Sequence, residues 1–164
     1  DSISSQESIF LIAMSNDELK ELITGLCPEA IFKPGVQFPE VTLPADALNR
    51  VCLALKNNPE TAFDYLFCLT GFDKPDCFEV VYHLDSTIHR HIIVLKARTA
   101  DRENPVLDTV GDIWPTASAH EREVYDLLGV RFNKHPDMRR LFLEDGWGFP
   151  LRKDYVDPIR IVER

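Results

Sequence analysis

The side chains with the chemistry to act gather in the last third of the chain. Glu121, Arg122, Glu123 and Asp126 come first, followed by His135, Pro136, Asp137, Arg139 and Arg140, then Pro150, Leu151, Arg152, Lys153 and Asp154. Arginine grips a carboxylate through two parallel N–H donors and suits buried or interfacial pairs. Such a set reads as an electrostatic clamp. It either folds the C-terminal stretch onto its own domain or holds it against another subunit. A mixture is expected, with Glu121 internal and Arg152-Lys153-Asp154 nearer a partner. The competing chemistry is a metal centre: His89 and His91 share one side of a strand, and His83 lies within reach across a hairpin. Three histidines on a sheet face can bind zinc. No carboxylate or cysteine completes a signature there, so a sheet-face or loop role is favoured.

Other chemistries fail on spacing. His120-Glu121-Arg122-Glu123 is not H-E-x-x-H, because Val124 stands where the second histidine belongs. No G-x-S-x-G is present, and Ser118 has no evident base in sequence. Glu121 and Glu123 point about 200° apart on a helix, so they do not converge as acid and base. Neither a P-loop nor G-x-G-x-x-G occurs. Cys27, Cys52, Cys68 and Cys77 form no close pair, which argues against a zinc ribbon or an iron–sulfur cluster held by this chain. They read as reduced thiols in a reducing, cytoplasmic compartment.

The elements that must position these residues follow from periodicity. Ser15 and Glu18 form a capping box ahead of Leu19, Leu22, Ile23 and Leu26, and Pro28 ends that helix. Residues 30–33 and 40–43 read as short strands around Pro34-Gly35. Pro44 opens a second helix at its first position, with Leu48, Val51, Cys52 and Leu55 on one face. A third helix is expected over residues 60–70, presenting Phe63, Leu66, Phe67 and Thr70. Residues 78–84 and 91–97 form a β-hairpin, its second strand apolar enough to lie inside the sheet. Helical signals return after Pro105 through Val106, Leu107, Val110 and Ile113. The next helix spans about 115–128 and is closed by Gly129. Its stripe of Ala117, Glu121, Val124 and Leu128 sets one carboxylate in an apolar face, with the following arginines as its expected partners. Arg122 and Asp126 are spaced to bridge, and Asp137 is placed to cap a short helix bearing Arg139 and Arg140. The fold class is α+β: a small, mostly antiparallel sheet with helices packed on one side and an irregular, extended C-terminal tail. Residues 1–14 form an N-terminal segment, 15–143 the domain, and 144–164 a docking tail.

Composition bounds the function. The chain has 164 residues, 45% hydrophobic and 27% charged, enough for one domain with a real core. Its net charge of −9 disfavours nonspecific binding to nucleic acid or an acidic membrane. That charge is uneven: residues 131–164 carry 8 basic and 6 acidic side chains, against an acidic remainder. The run Ile9–Met14 is too short to span a bilayer, and its acidic flanks argue against a signal peptide. The chain starts at Asp1, so the N-terminus is read as trimmed.

Two long motifs then carry a resemblance. Glu121-Arg122-Glu123-Val124-Tyr125-Asp126-Leu127-Leu128-Gly129 leads to His135-Pro136-Asp137-Met138-Arg139-Arg140, and Pro150-Leu151-Arg152-Lys153-Asp154-Tyr155 closes the pattern. In this order they resemble the C subunit of NADH-quinone oxidoreductase, respiratory complex I, known as the 30 kDa subunit family. Weaker similarity runs through Phe63-Asp64-Tyr65-Leu66, Val81-Tyr82-His83-Leu84 and Ile113-Trp114-Pro115, covering roughly residues 40–157. Ala119 stands where the family commonly has Trp, and Gly148-Phe149 replaces its Gly-His. The resemblance implies a non-catalytic subunit of the peripheral arm with no cofactor of its own. FMN, iron–sulfur clusters and quinone would sit in partner subunits. It further implies packing against the D subunit of the quinone site, near the B and I subunits, at the cytoplasmic face of the plasma membrane. There it would support electron transfer from NADH to quinone coupled to proton translocation. Equivalent subunits of membrane-bound hydrogenases or ferredoxin-linked dehydrogenases are the alternative, and a stand-alone protein with a histidine metal site is the alternative of another class.

Overall fold

The computed structural model describes residues 14–157. Of the expected N-terminal segment, only Met14 falls among them, and the last seven residues of the expected tail lie outside them. Helix α1, Asn16–Leu26, starts at the capping box: Ser15 Oγ accepts from Glu18 N–H while the Glu18 carboxylate accepts from Ser15 N–H at 2.8 Å. It buries Leu19 and Ile23. Strands β1, Ile31–Lys33, and β2, Glu40–Pro44, pair antiparallel. Pro44 is the last residue of β2, opposite Arg98, and not the first of a helix. A 3-10 turn over Ala45–Ala47 intervenes before α2, Leu48–Asn57.

The expected helix over 60–70 is a strand. β3, Tyr65–Asp73, pairs antiparallel with β4, Phe78–Asp85, and a bulge interrupts the register between Leu66 and Cys68. The extra residue places the inward-facing Leu66 and Leu69 three positions apart, which imitates a helical period. β4 and β5, Ile92–Thr99, form the expected hairpin. The sheet runs β1-β2-β5-β4-β3, so β5 is central; its pairing with β2 is parallel and all other pairings are antiparallel. The segment after Pro105 is also not helical. β6, Val106–Asp108, pairs parallel with β7, Arg131–Asn133, through Leu107 opposite Phe132. Short apolar runs cannot by themselves distinguish a buried strand from a helix.

Helix α3, Ala117–Leu128, ends at Gly129 in the left-handed conformation. The three helices cover one face of the sheet. Leu19 and Ile23 of α1, Val51 and Leu55 of α2, and Val124 and Leu128 of α3 share one core with Val80, Tyr82, Leu84, Ile93, Leu95 and Ala97. The fold class is therefore the expected α+β arrangement. α3 approaches β3 over Gly71, where a Cβ would sit 2.7 Å from Leu128 Cδ1 and 2.9 Å from Val124 Cγ1. Gly71→Val should destabilise the domain by about 2 kcal/mol through overpacking. Denaturant titration against the wild type measures it, and an unchanged midpoint would show that α3 can shift off the sheet.

Candidate functional site

Helix α3 positions two buried carboxylates on different sides. Glu121, on the stripe with Ala117, Val124 and Leu128, has no exposed surface. Its partners are not the arginines. Glu121 Oε2 accepts from Thr109 Oγ–H at 2.6 Å and Oε1 accepts from Val110 N–H at 2.8 Å, with His135 Nε2 at 3.8 Å. The carboxylate thus caps the turn that joins β6 to α3. Burial pushes its pKa above the ordinary range, against the pull of Thr109, Val110 and His135.

His135 closes this end of the helix. Its Nδ1 accepts from Asp137 N–H at 3.0 Å, so the ring proton sits on Nε2, which lies 3.0 Å from Ser118 Oγ and 3.1 Å from Ser118 O. Sequence reading gave Ser118 no base, and the fold supplies a histidine. The arrangement is still not a catalytic triad. Serine and carboxylate both face Nε2, while Nδ1 is occupied by a backbone N–H, so no proton passes through the ring from serine to acid. The constellation holds conformation.

Asp126 organises the other side. Its Oδ1 accepts from Arg140 Nη1 at 3.0 Å, and Oδ2 accepts from Phe142 N–H at 2.7 Å and Leu143 N–H at 3.0 Å. Burial raises its pKa, but the two N–H donors and Arg140 outweigh that and hold it below the usual carboxylate range. Arg122 does not bridge to Asp126: its guanidinium donates to the carbonyls of Arg139 and Arg140, at 3.2 and 2.8 Å. Residues 138–140 form no helix, and Asp137 meets Arg139 at 2.9 Å in an exposed pair. Pro136 lies in the turn between His135 and Asp137. Glu123 stays near the surface, 4.0 Å from His120.

The strap from Met138 to Asp157 continues along α3 and the end of β3. Leu151 N–H donates to Leu127 O at 3.0 Å, and Arg152 Nε–H donates to Leu128 O at 2.6 Å. Arg152 is sandwiched between the rings of Phe78 and Phe149, 4.9 and 4.8 Å from their centroids. Burial lowers its pKa. Gly129 makes room, since a Cβ there would stand 2.6 Å from Arg152 Nη2 and 2.7 Å from Phe149 Cδ2. Lys153 N–H donates to Asp73, which also takes a two-pronged contact from Arg102 at 2.7 and 3.1 Å. Pro150 is half-buried, while Leu151 and the side chains of Lys153 and Asp154 are exposed. Arg152 is therefore internal, and only Lys153 and Asp154 of that triplet face outward. Thr109, Asp73, Arg102 and Phe78 escaped sequence reading, because their partners lie 12 to 80 positions away with no periodic signal.

Of the three candidate zinc histidines, His89 and His91 stand together with ring centroids 5.6 Å apart, and His83 lies away from them. Nε2 of His89 contacts Pro59 O at 2.7 Å and Nε2 of His91 contacts Thr61 O at 2.9 Å, while His83 packs against Phe67. Among the described residues, no three His, Cys, Asp or Glu side chains come together as a metal site. The four cysteines are free and all but Cys68 are buried.

Two variants test these clamps. Glu121→Ala leaves a buried hydroxyl and a buried N–H without acceptor and should cost about 3 kcal/mol. Glu121→Gln keeps an acceptor. Because the folded carboxyl binds its proton more tightly than the unfolded one, Glu121's contribution is greatest below roughly pH 4.3 and declines as pH rises through the folded value. Wild-type stability relative to Glu121→Gln should thus fall with rising pH; a difference independent of pH contradicts the assignment. Asp126→Asn runs the opposite way, its loss appearing above roughly pH 3.9 and vanishing in acid. Thermal melts across pH 3–8 read both.

Known proteins share much of this stretch. The family model described as the 30 kDa subunit of the respiratory-chain NADH dehydrogenase matches residues 41–159. The C/D subunit of the NADH-quinone oxidoreductase of Phocaeicola vulgatus is 48% identical over 127 residues, 74% of this chain and 24% of that protein. The C subunit of the Chloroherpeton thalassium enzyme is 42% identical over 67% of this chain and 47% of its own length. The chain thus spans a quarter to a half of the length of these relatives. The C subunit of the F(420)H(2) dehydrogenase of Methanosarcina mazei is 37% identical over 82% of this chain and 88% of its own. A chain in the solved structure of the membrane-bound sulfane sulfur reductase, an archaeal respiratory membrane complex, superposes with a TM-score of 0.72 at 28% identity. That match covers 87% of this chain and 86% of the other.

Proposed function

The chain belongs to the 30 kDa subunit family of the respiratory-chain NADH dehydrogenase, and from that premise we propose that it is a structural subunit, without chemistry of its own, of the peripheral arm of a quinone-reducing complex. In this reading it packs against the D subunit of the quinone site and lies near the iron–sulfur B and I subunits. FMN, clusters and quinone belong to those partners. Its work is to keep them in register while electrons pass from NADH to quinone and protons are moved. The observation that carries the reading is the engagement of the motif. Glu121, Arg122, Asp126, His135, Arg140 and Arg152 all bond within the chain: Glu121 and His135 fix the turns at the start of α3 and after β7, and Arg122, Asp126, Arg140 and Arg152 fix the strap. Phe142, Trp147, Leu151 and Val156 remain on its outer side, exposed by 45% or more. An ordered strap with exposed apolar side chains suits a docking subunit. The C/D relatives, with both names on one polypeptide, support a lasting association with the D-type partner.

No helix of the described residues is long and apolar enough to cross a membrane. Attachment to the cytoplasmic face would therefore come through the assembly. A second donor is supported by the F(420)H(2) dehydrogenase relative, which is aligned over 88% of its own length. The same scaffold would then serve a complex fed by another reductant. Affinity purification of the tagged chain from gently solubilised native membranes, followed by mass spectrometry, tests the proposal. Cluster-bearing and quinone-site subunits should co-purify, and the presence or absence of the flavin-bearing NADH module should identify the donor. Recovery of the chain alone would contradict it.

A further inference from the structure

Two tight turns meet where β3 begins and the β4–β5 hairpin closes. One, residues 58–62, follows α2 and folds back through Ala62 N–H donating to Asn58 O at 2.7 Å. The other, residues 86–91, joins β4 to β5, with Arg90 N–H donating to Ser86 O at 2.7 Å and His89 N–H to Ser86 Oγ at 3.1 Å. Each turn holds a non-glycine residue in the left-handed region, Ala62 at φ 41° and Arg90 at φ 54°. Side chains disfavour that conformation, and it persists only where surrounding contacts impose it. Three contacts join the two turns. His89 Nε2 lies 2.7 Å from Pro59 O, His91 Nε2 lies 2.9 Å from Thr61 O, and Asp64 accepts from Thr87 N–H at 2.8 Å and Thr87 Oγ–H at 2.5 Å.

A carbonyl oxygen only accepts, so both rings donate from Nε2 and carry a lone pair on Nδ1. Both Nδ1 atoms are buried, and no protein group among the described residues bonds to either. The rings lie side by side, 5.6 Å between centroids, and His91 also stacks on the fully buried Phe63 at 4.6 Å. Neither ring can take up a second proton where it stands without burying an N–H that has no protein acceptor, beside a neighbour under the same constraint. The charged groups on the packed elements are Asp85 at the end of β4, Glu60 and Asp64 on the facing turn, Lys56 on α2 and Arg90 in the turn itself. None of them reaches an Nδ1 atom. Burial lowers the His91 pKa and His89 adds to that, against the pull of Thr61 O and Asp85. Asp64 titrates in another range: burial raises its pKa, but the Thr87 donors and Lys56 outweigh that and hold it below the usual carboxylate range.

We infer that His89 and His91 form a proton-operated clasp: neutral rings close the 86–91 turn over Phe63, and protonation at Nδ1 releases them from Pro59 and Thr61 while Asp64 keeps hold of Thr87. A released His91 binds its proton more tightly than a clasped one. Closure is therefore complete above roughly pH 6.5 and is lost as the pH falls below it. The clasp does not depend on which complex the chain serves.

Amide exchange on the full chain at pH 7.5 and 5.5, corrected for intrinsic rates, tests it. The amides of residues 89 and 90 should lose about tenfold in protection at pH 5.5. Thr87, held by Asp64, and Tyr82, on a strand paired on both sides, should keep theirs. Imidazole nitrogen shifts should show His91 Nδ1 gaining its proton over the same pH interval. Replacing both rings, His89→Gln with His91→Gln, removes the titrating groups and should make protection at residues 89 and 90 equal at the two pH values. Protonation of the rings without loss of protection, pH-dependent protection that survives in the double variant, or a loss shared by Thr87 and Tyr82 overturns the assignment.

Discussion

Two carboxylates buried on one short helix fix the chain that enters it at Val110 and the chain that returns along it at Phe142 and Leu143. Neither side chain can stay inside the protein unless its oxygens are hydrogen-bonded, since an unpaired buried charge costs several kcal/mol, order of magnitude. α3 meets that requirement by recruiting backbone. Glu121 takes the Val110 N–H from the incoming chain, and Asp126 takes the Phe142 and Leu143 N–H groups from the outgoing one. Segments with little regular structure of their own are thereby given fixed positions. The arginines then act on carbonyls: Arg122, Arg140 and Arg152 all donate to backbone oxygens along the strap or at the end of α3.

This arrangement explains why Ser118, His135 and Glu121 meet without the geometry of a catalytic triad. Ser118, His135 and Glu121 are adjacent, yet both oxygens converge on a single ring nitrogen and the other nitrogen binds backbone. The polar network ends in main-chain groups. It fixes the shape of a strap that keeps Phe142, Trp147, Leu151 and Val156 exposed on its outer side.

Much of the frame was legible in the sequence. The capping box at Ser15, the β4–β5 hairpin, α3 with its glycine cap and the burial of Glu121 all follow local rules that operate within a few residues. The failures have one physical origin. At β3, a bulge shifted Leu66 and Leu69 into helical spacing, and at β6 three residues gained their strand character only by pairing with β7. Glu121 departs for the same reason: charge complementarity points to arginines, while the donors beside it in space are the Thr109 hydroxyl and the Val110 N–H; Asp126 does take an arginine, but Arg140 in place of Arg122, together with two main-chain N–H groups. The motif itself, Glu121 to Arg140 and Pro150 to Tyr155, was legible because its order and spacing are specific. The side chains that receive it, such as Asp73 and Phe78, were not.

The central claim is that the motif clamps the strap to its own domain before any partner arrives. Amide hydrogen exchange on the isolated chain tests this most directly, because the amides of Phe142, Leu143, Leu151 and Lys153 each donate to an acceptor on α3 or β3. The account predicts that all four exchange at least a hundredfold more slowly than unstructured peptide, with Phe142 and Leu143 losing protection in Asp126→Ala. Exchange at peptide rates in the free chain, with protection appearing only in the assembled complex, would contradict it and make the strap a product of docking.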